Sequence, residues 1–158
     1  MKVAKTIRHK ILNHASIFDE TIRVYNEALS FIIEVIDNEV EHVDAYSTKE
    51  MTNVVERLIH ATKSNPTPKY AEFNQRFYKF PSYFRRAAIA TAFGKVKSYR
   101  SLLENWEIEK QVALENGRKF NKQRPTKQFT HKEFPVLYKG NMFKRTSDTT
   151  ACIKAFIK

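Results

Sequence analysis

FPSYFRRAAIATAFGKVKSYRSLLENWEIEKQVALENG, residues 80–117, decides the fold. Phe80-Pro81-Ser82 opens a helix, because proline holds its predecessor out of helical space and suits a first turn. No proline interrupts the next 36 residues, and Gly117 fits the left-handed residue that closes a helix. The apolar stripe of this long helix reads Phe84, Ala88, Thr91 or Ala92, Val96, Tyr99, Leu103, Trp106 and Leu114. Ala87, Ala88, Ala90 and Ala92 form a close-packing patch, and Gly94 inside the helix is expected to mark another close helix contact.

Working outward, the residues before this stretch are also helical. Ser16 and Asp19 resemble a capping box, and Ile22, Tyr25, Leu29, Ile32, Ile33, Ile36 and Val40 recur at helical spacing. Thr48 is expected to cap a second helix with Met51, Val55, Leu58 and Ile59 inward, ended by Asn65-Pro66-Thr67-Pro68. Tyr70, Phe73, Phe77, Tyr78 and Phe80 fill an aromatic stretch between the two.

The flanks read differently. Residues 3–12, VAKTIRHKIL, alternate as a strand with a basic face. Residues 118–133 lose helical period. Beyond them Phe134, Val136 and Tyr138 alternate, Lys139-Gly140-Asn141-Met142 offers a hairpin turn, and 142–145 is the return strand. Asp148 falls in the next turn, and 151–158 alternates to the last residue, which suggests part of something longer. One strand is not stable alone, so the first must pair with the last ones. The expectation is an α+β fold: a β-unit from 1–14 and 118–158, with a helical insertion from 15–117.

The formal net charge is +11, from 28 Lys+Arg against 17 Asp+Glu. It is segregated. Residues 19–50 hold nine acids and only Arg23 and Lys49 as bases, leaving twenty-six bases against eight acids elsewhere. A surplus of that kind suits polyanions, since each neutralised phosphate releases counterions. Two groups stand out. Arg85, Arg86, Lys97 and Arg100, with Tyr83, lie on the first half of the long helix, where fixed geometry suits readout of base edges. Arg118, Lys119, Lys122, Arg124, Lys127, Lys144 and Arg145 follow it, interleaved with Phe120, Phe129 and Tyr138, a mixture suited to phosphate contact and stacking.

Other chemistry is not indicated. Three glycines share no phosphate-loop motif, and Cys152, the only cysteine, excludes an internal disulfide and fits a reducing, cytoplasmic compartment. No histidine sits at metal-ligand spacing with cysteines or paired carboxylates, and Glu27, Glu34 and Glu41 read as a solvated face. Neither a catalytic constellation, a cofactor, a metal nor a membrane span is expected.

Four blocks carry a resemblance: KTIRHKIL at 5–12, YNEALSFIIEVID at 25–37, FPSYFRRAAIATAFGKVKSYRSLLENW at 80–106 and FPVLYKGNMFKR at 134–145. Together they resemble the N-terminal half of the TnpB (OrfB) transposon-encoded RNA-guided nucleases. The resemblance implies a small antiparallel, barrel-like wedge unit with a helical recognition bundle inserted after its first strand. It also implies guide RNA and target DNA as partners, and a RuvC-like catalytic domain later in the parent chain or on a separate polypeptide. No acidic triad or CxxC pair of that domain occurs here, so the chain itself is expected to bind and not to cut. The alternatives are a stand-alone DNA-binding regulator of the same descent, or a helical scaffold for an acidic protein partner.

Overall fold

The computed structural model describes residues 15–127 and 133–156. The strand expected over 3–12 lies outside the described residues. In order, the elements are α1 (Ala15–Glu39), a 3-10 turn (Val43–Ala45), α2 (Thr48–Ile59), α3 (Glu72–Arg76), α4 (Ser82–Glu115), β1 (Phe143–Arg145) and β2 (Ala151–Ile153). The fold is α+β: mostly helical, with one two-stranded antiparallel sheet. No barrel closes among the described residues.

α1 and α4 pack side by side and run in the same direction. Tyr25 meets Phe84 edge-on at 6.2 Å near their starts, and Asp37 meets Arg100 further along. The periodic positions expected of α1 are its buried face: Tyr25, Leu29, Ile32 and Ile36 have no accessible surface. α4 buries Phe84, Ala88, Ile89, Ala92 and Val96 against them. Beyond Arg100 the expected stripe leaves the core: Leu103 and Trp106 are half-buried and Leu114 is exposed, as are Leu102, Ile108 and Val112, which lie off the stripe. The reason is length: α1 ends at Glu39, so the last four turns of α4 have no helix to cover them. Gly94 is exposed, and a methyl group there would meet nothing within 4 Å, so it marks no close contact.

Parallel neighbours need a crossover, which α2, α3 and their loops supply. The cap of α2 is Ser47 instead of Thr48. Its Oγ accepts from the Glu50 N–H while Glu50 accepts from the Ser47 N–H, a reciprocal box that Thr48 lacks the matching acid to form. The helix stops at Ile59, before the prolines, because side-chain amides take its last carbonyls: Asn65 Nδ2 donates to Arg57 O and Asn74 Nδ2 to Ile59 O, each at 2.7 Å. Phe73, Phe77, Phe80 and Phe84 then form a continuous run of ring contacts between 4.9 and 6.2 Å, joined by Phe31 from α1 and by Phe156 from the C-terminal segment.

The hairpin lies one turn later than expected. Phe143 pairs with Ile153, Lys144 with Cys152 and Arg145 with Ala151, across a turn over 146–150 that contains Asp148. Residues 134–138 form no strand. The Tyr138 carbonyl accepts from both Met142 and Phe143 N–H, closing a tight turn at Gly140 (φ +85°) in place of a ladder. Their alternation survives as exposure, with Phe134 and Val136 at 70% and 61% accessible.

This C-terminal unit docks on α1 through side chains acting as backbone substitutes. Asn26 Nδ2 donates to Glu133 O while Glu133 N–H donates to Asn26 Oδ1, both at 3.0 Å. Thr21 Oγ1 donates to Phe156 O at 2.7 Å and accepts from Phe156 N–H at 3.0 Å.

Arg100 closes the exposed end of α1. Its Nη1 donates to Val40 O and Glu41 O at 2.6 and 2.8 Å, and its Nη2 to Asp37 O at 2.8 Å. Replacing Arg100 with Ala leaves those carbonyls and Asp37 short of partners, and should cost about 3 kcal/mol in a urea denaturation experiment. R100K should recover less than half of that, because one ammonium does not span the fork. Unchanged stability of R100A would show that the fork carries no load.

Candidate nucleic-acid interface

The cations expected to read bases from α4 are mostly engaged within the protein. The Arg85 side chain is 9% exposed, with Nε 3.2 Å from Glu56 Oε1. Arg86, more than half exposed, reaches the same oxygen at 3.6 Å. Lys97 pairs with Asp44 at 3.0 Å and lies over the Phe93 ring, and Arg100 is the fork on α1. Tyr83 is half-buried, its ring 5.4 Å from Tyr138. Arg85 and Arg100 therefore hold helices together, while Arg86 and Lys97 keep their stems at the surface.

The segment after α4 is strapped back onto the helices. Gly117 (φ +63°) ends α4, and Arg118 N–H donates to Ala113 O at 2.8 Å. Trp106 packs edge-on against Phe120 and donates its Nε1–H to Lys122 O at 2.9 Å, while Lys122 Nζ meets Glu109 at 2.7 Å. Lys127 reaches Asp37, the carboxylate that also holds Arg100. Arg145 is consumed by its own hairpin turn, donating to Ser147 O and Asp148 O at 2.9 and 2.8 Å.

Exposed cations without an acidic partner among the described residues remain in both parts of the chain: Lys49, Arg57, Lys63, Arg76, Lys79 and Lys110 before the end of α4, and Lys154 with five others after it. Arg118, Lys119, Arg124, Lys139 and Lys144 are exposed and have no ion-pair partner among the described residues. All lie after α4, in the part of the chain that also presents Phe134, Val136 and Tyr138 outward. Asp37 and Asp44 belong to the acid-rich segment visible in the sequence, Glu56, Glu109 and Asp148 lie outside it, and which cation each one meets is set by the fold. Lys95–Glu133 (2.7 Å) is a pairing that sequence reading missed altogether.

Asp37 shows the local electrostatics. Burial disfavours its charged form, but hydrogen bonds from Lys127 and Arg100 outweigh burial and hold its pKa below the usual carboxylate range. Lys127 is raised, first by its hydrogen bond to Asp37. Nearby, Glu39 accepts from Lys69 Nζ and from Tyr70 Oη at 2.7 and 2.6 Å, which lowers the carboxyl and pushes the phenol up to about 12.

Among the described residues no group of histidine, cysteine, aspartate and glutamate is arranged to hold a metal ion, and no helix is long and apolar enough to cross a membrane. The class so defined is a basic α+β module with exposed, unpaired cations both in its helical part and after it. Residues 5–157 match the model of the Aq_aa04 family, and the chain belongs to that family. Comparison with curated proteins and with solved structures gives no match.

Asp37 binds a proton less readily in the folded chain than in the unfolded one. Its contribution to stability is therefore complete above the unfolded value and is lost as pH falls through the lower folded value. D37N should lose stability at neutral pH and show a shallower loss on acidification in pH-dependent denaturation. Parallel pH profiles for D37N and wild type would remove Asp37 as the hub.

Proposed function

We propose that this chain is a nucleic-acid-binding module without catalytic residues of its own, the wedge-plus-recognition half of an RNA-guided DNA endonuclease of the TnpB (OrfB) type. In this reading the C-terminal unit belongs to a barrel-like wedge completed by residues 1–14, and α1 to α4 are the recognition bundle inserted into it. Guide RNA and target-adjacent DNA are its ligands, and a RuvC-like domain elsewhere does the cutting.

The observation that carries the reading is the residue of charge left after internal pairing. Arg118, Lys119, Arg124, Lys139 and Lys144 remain without acidic partners among the described residues, on the unit that turns Phe134 and Tyr138 outward. Cations next to exposed rings suit a strand that offers phosphates and base faces together. The internal pairs narrow the proposed readout on α4 to Arg86 and Lys97, whose side chains are about half exposed although each meets an acid.

Fluorescence anisotropy with structured RNA and duplex DNA tests this. Log affinity should fall linearly with log salt, with a slope of about four if these five cations meet phosphates. Changing Arg118, Arg124 and Lys144 to Gln should weaken every sequence alike and flatten the slope by about two to three. R86A and K97A should weaken a preferred DNA motif more than scrambled DNA in competition binding with guide RNA present. Absence of binding to any nucleic acid at low salt would sink the reading. RNA-independent binding to one DNA motif would replace it with a stand-alone regulator.

A further inference from the structure

Between α3 and α4 the aromatic run turns one ring the other way. Phe73, Phe77 and Phe80 are buried, whereas Tyr78, between Phe77 and Phe80, is 67% exposed. The Lys79 ammonium lies 5.1 Å from the centroid of the Tyr78 ring. No second ring and no hydrogen bond meets the Tyr78 side chain among the described residues. Arg76, two residues earlier, is exposed like Lys79, and neither has an acidic partner among the described residues. We propose that Tyr78 is a stacking platform for one base of a single-stranded nucleic acid, with Lys79 and Arg76 taking adjoining phosphates. The class of ligand rests on the function proposed above, and the place is new: it belongs to the helical part and not to the C-terminal unit.

The backbone singles out the same turn. Lys79 has φ +57°, the one positive value at a residue other than glycine among the described residues. Left-handed backbone crowds the Cβ of most side chains, and glycine adopts it freely. The buried rings on either side impose it here. Phe80 N–H donates to Phe77 O at 3.0 Å, so the chain reverses tightly enough for both rings to reach the core. Glycine would make that turn with less strain. A lysine keeps a cation beside Tyr78 instead, and strained backbone held by its surroundings collects at binding sites.

The exposed ring and its cations fit one kind of ligand. Every base has a π-face, so a lone tyrosine accepts any of them, and an ammonium on a flexible stem can turn to the phosphate of the stacked nucleotide. A site for a free nucleotide would enclose its ligand in a concave pocket. Tyr78 stands in the open, which suits a base of a passing strand. Duplex bases stack on one another and leave no face for it, so the platform selects single strands.

The test uses the full chain with two fluorescent probes, a single-stranded RNA and a duplex DNA of equal length. Y78A should bind the single strand about tenfold more weakly, a typical loss for one stacked base, and the duplex as wild type does. Y78F keeps the ring and should bind both probes as wild type does. K79G separates binding from folding. Glycine suits the left-handed turn, so K79G should melt at or above the wild-type temperature while holding the single strand several-fold more weakly. Photocrosslinking to an iodouridine-substituted RNA, read by mass spectrometry, should mark Tyr78. Equal losses of Y78A on both probes, no loss on either while K144Q is weakened, or crosslinks that spare Tyr78 would overturn the platform and leave the proposed function standing. Failure of wild type to bind either probe at low salt would remove the proposed function and the platform with it.

Discussion

α1 ends alongside the middle of α4, and the carbonyls left free at that end carry partial negative charge that a cation from α4 can offset. Arg100 does so in this molecule. Its fork reaches three carbonyls at the end of α1 and the Asp37 carboxylate beside them. Asp37 then hands a second contact to Lys127, which draws the segment after α4 back across the bundle. The pairing of α1 with α4 therefore positions both the helical core and the basic segment. A parallel pair also demands a long return path, and the crossover through α2 and α3 is where the aromatic run arises.

The charge of the chain divides along the same lines. Acids concentrated in α1, the 3-10 turn and α2 meet cations from α4 and from the segment after it, through Asp37, Asp44 and Glu56. Pairing within the bundle spends much of the positive charge of α4 on structure. The unpaired cations that remain are therefore not distributed as the sequence distributes them. They lie on α2, the 60–65 loop, α3 and α4 as well as after α4.

How much of this was legible depends on how local each cause is. Helix positions followed from apolar spacing, and Gly117 ended α4 where expected, because period and φ preference are properties of a short window. Ser47 was equally legible in principle, since Glu50 stands three residues on. The misplaced hairpin had two adjacent turn signals, and only packing of Met142 against the core chose between them. The roles of Arg85 and Arg100 were not legible. Their partners lie 29 and 63 residues away, and a basic residue on a helix looks the same whether it faces solvent or a distant carboxylate.

The overhang of α4 has a mechanical meaning. From Ser101 to Glu115 the helix extends roughly 22 Å past its last anchor at about 1.5 Å per residue. A tilt of about 10° at Arg100 would carry its tip nearly 4 Å sideways, and the Trp106–Phe120 contact makes the strapped segment travel with it. Arg100 is then a fulcrum as well as a cap. The same few hydrogen bonds that finish α1 govern how far the outer end of α4 swings, and a load applied at Leu114 is felt, through one guanidinium, at Asp37.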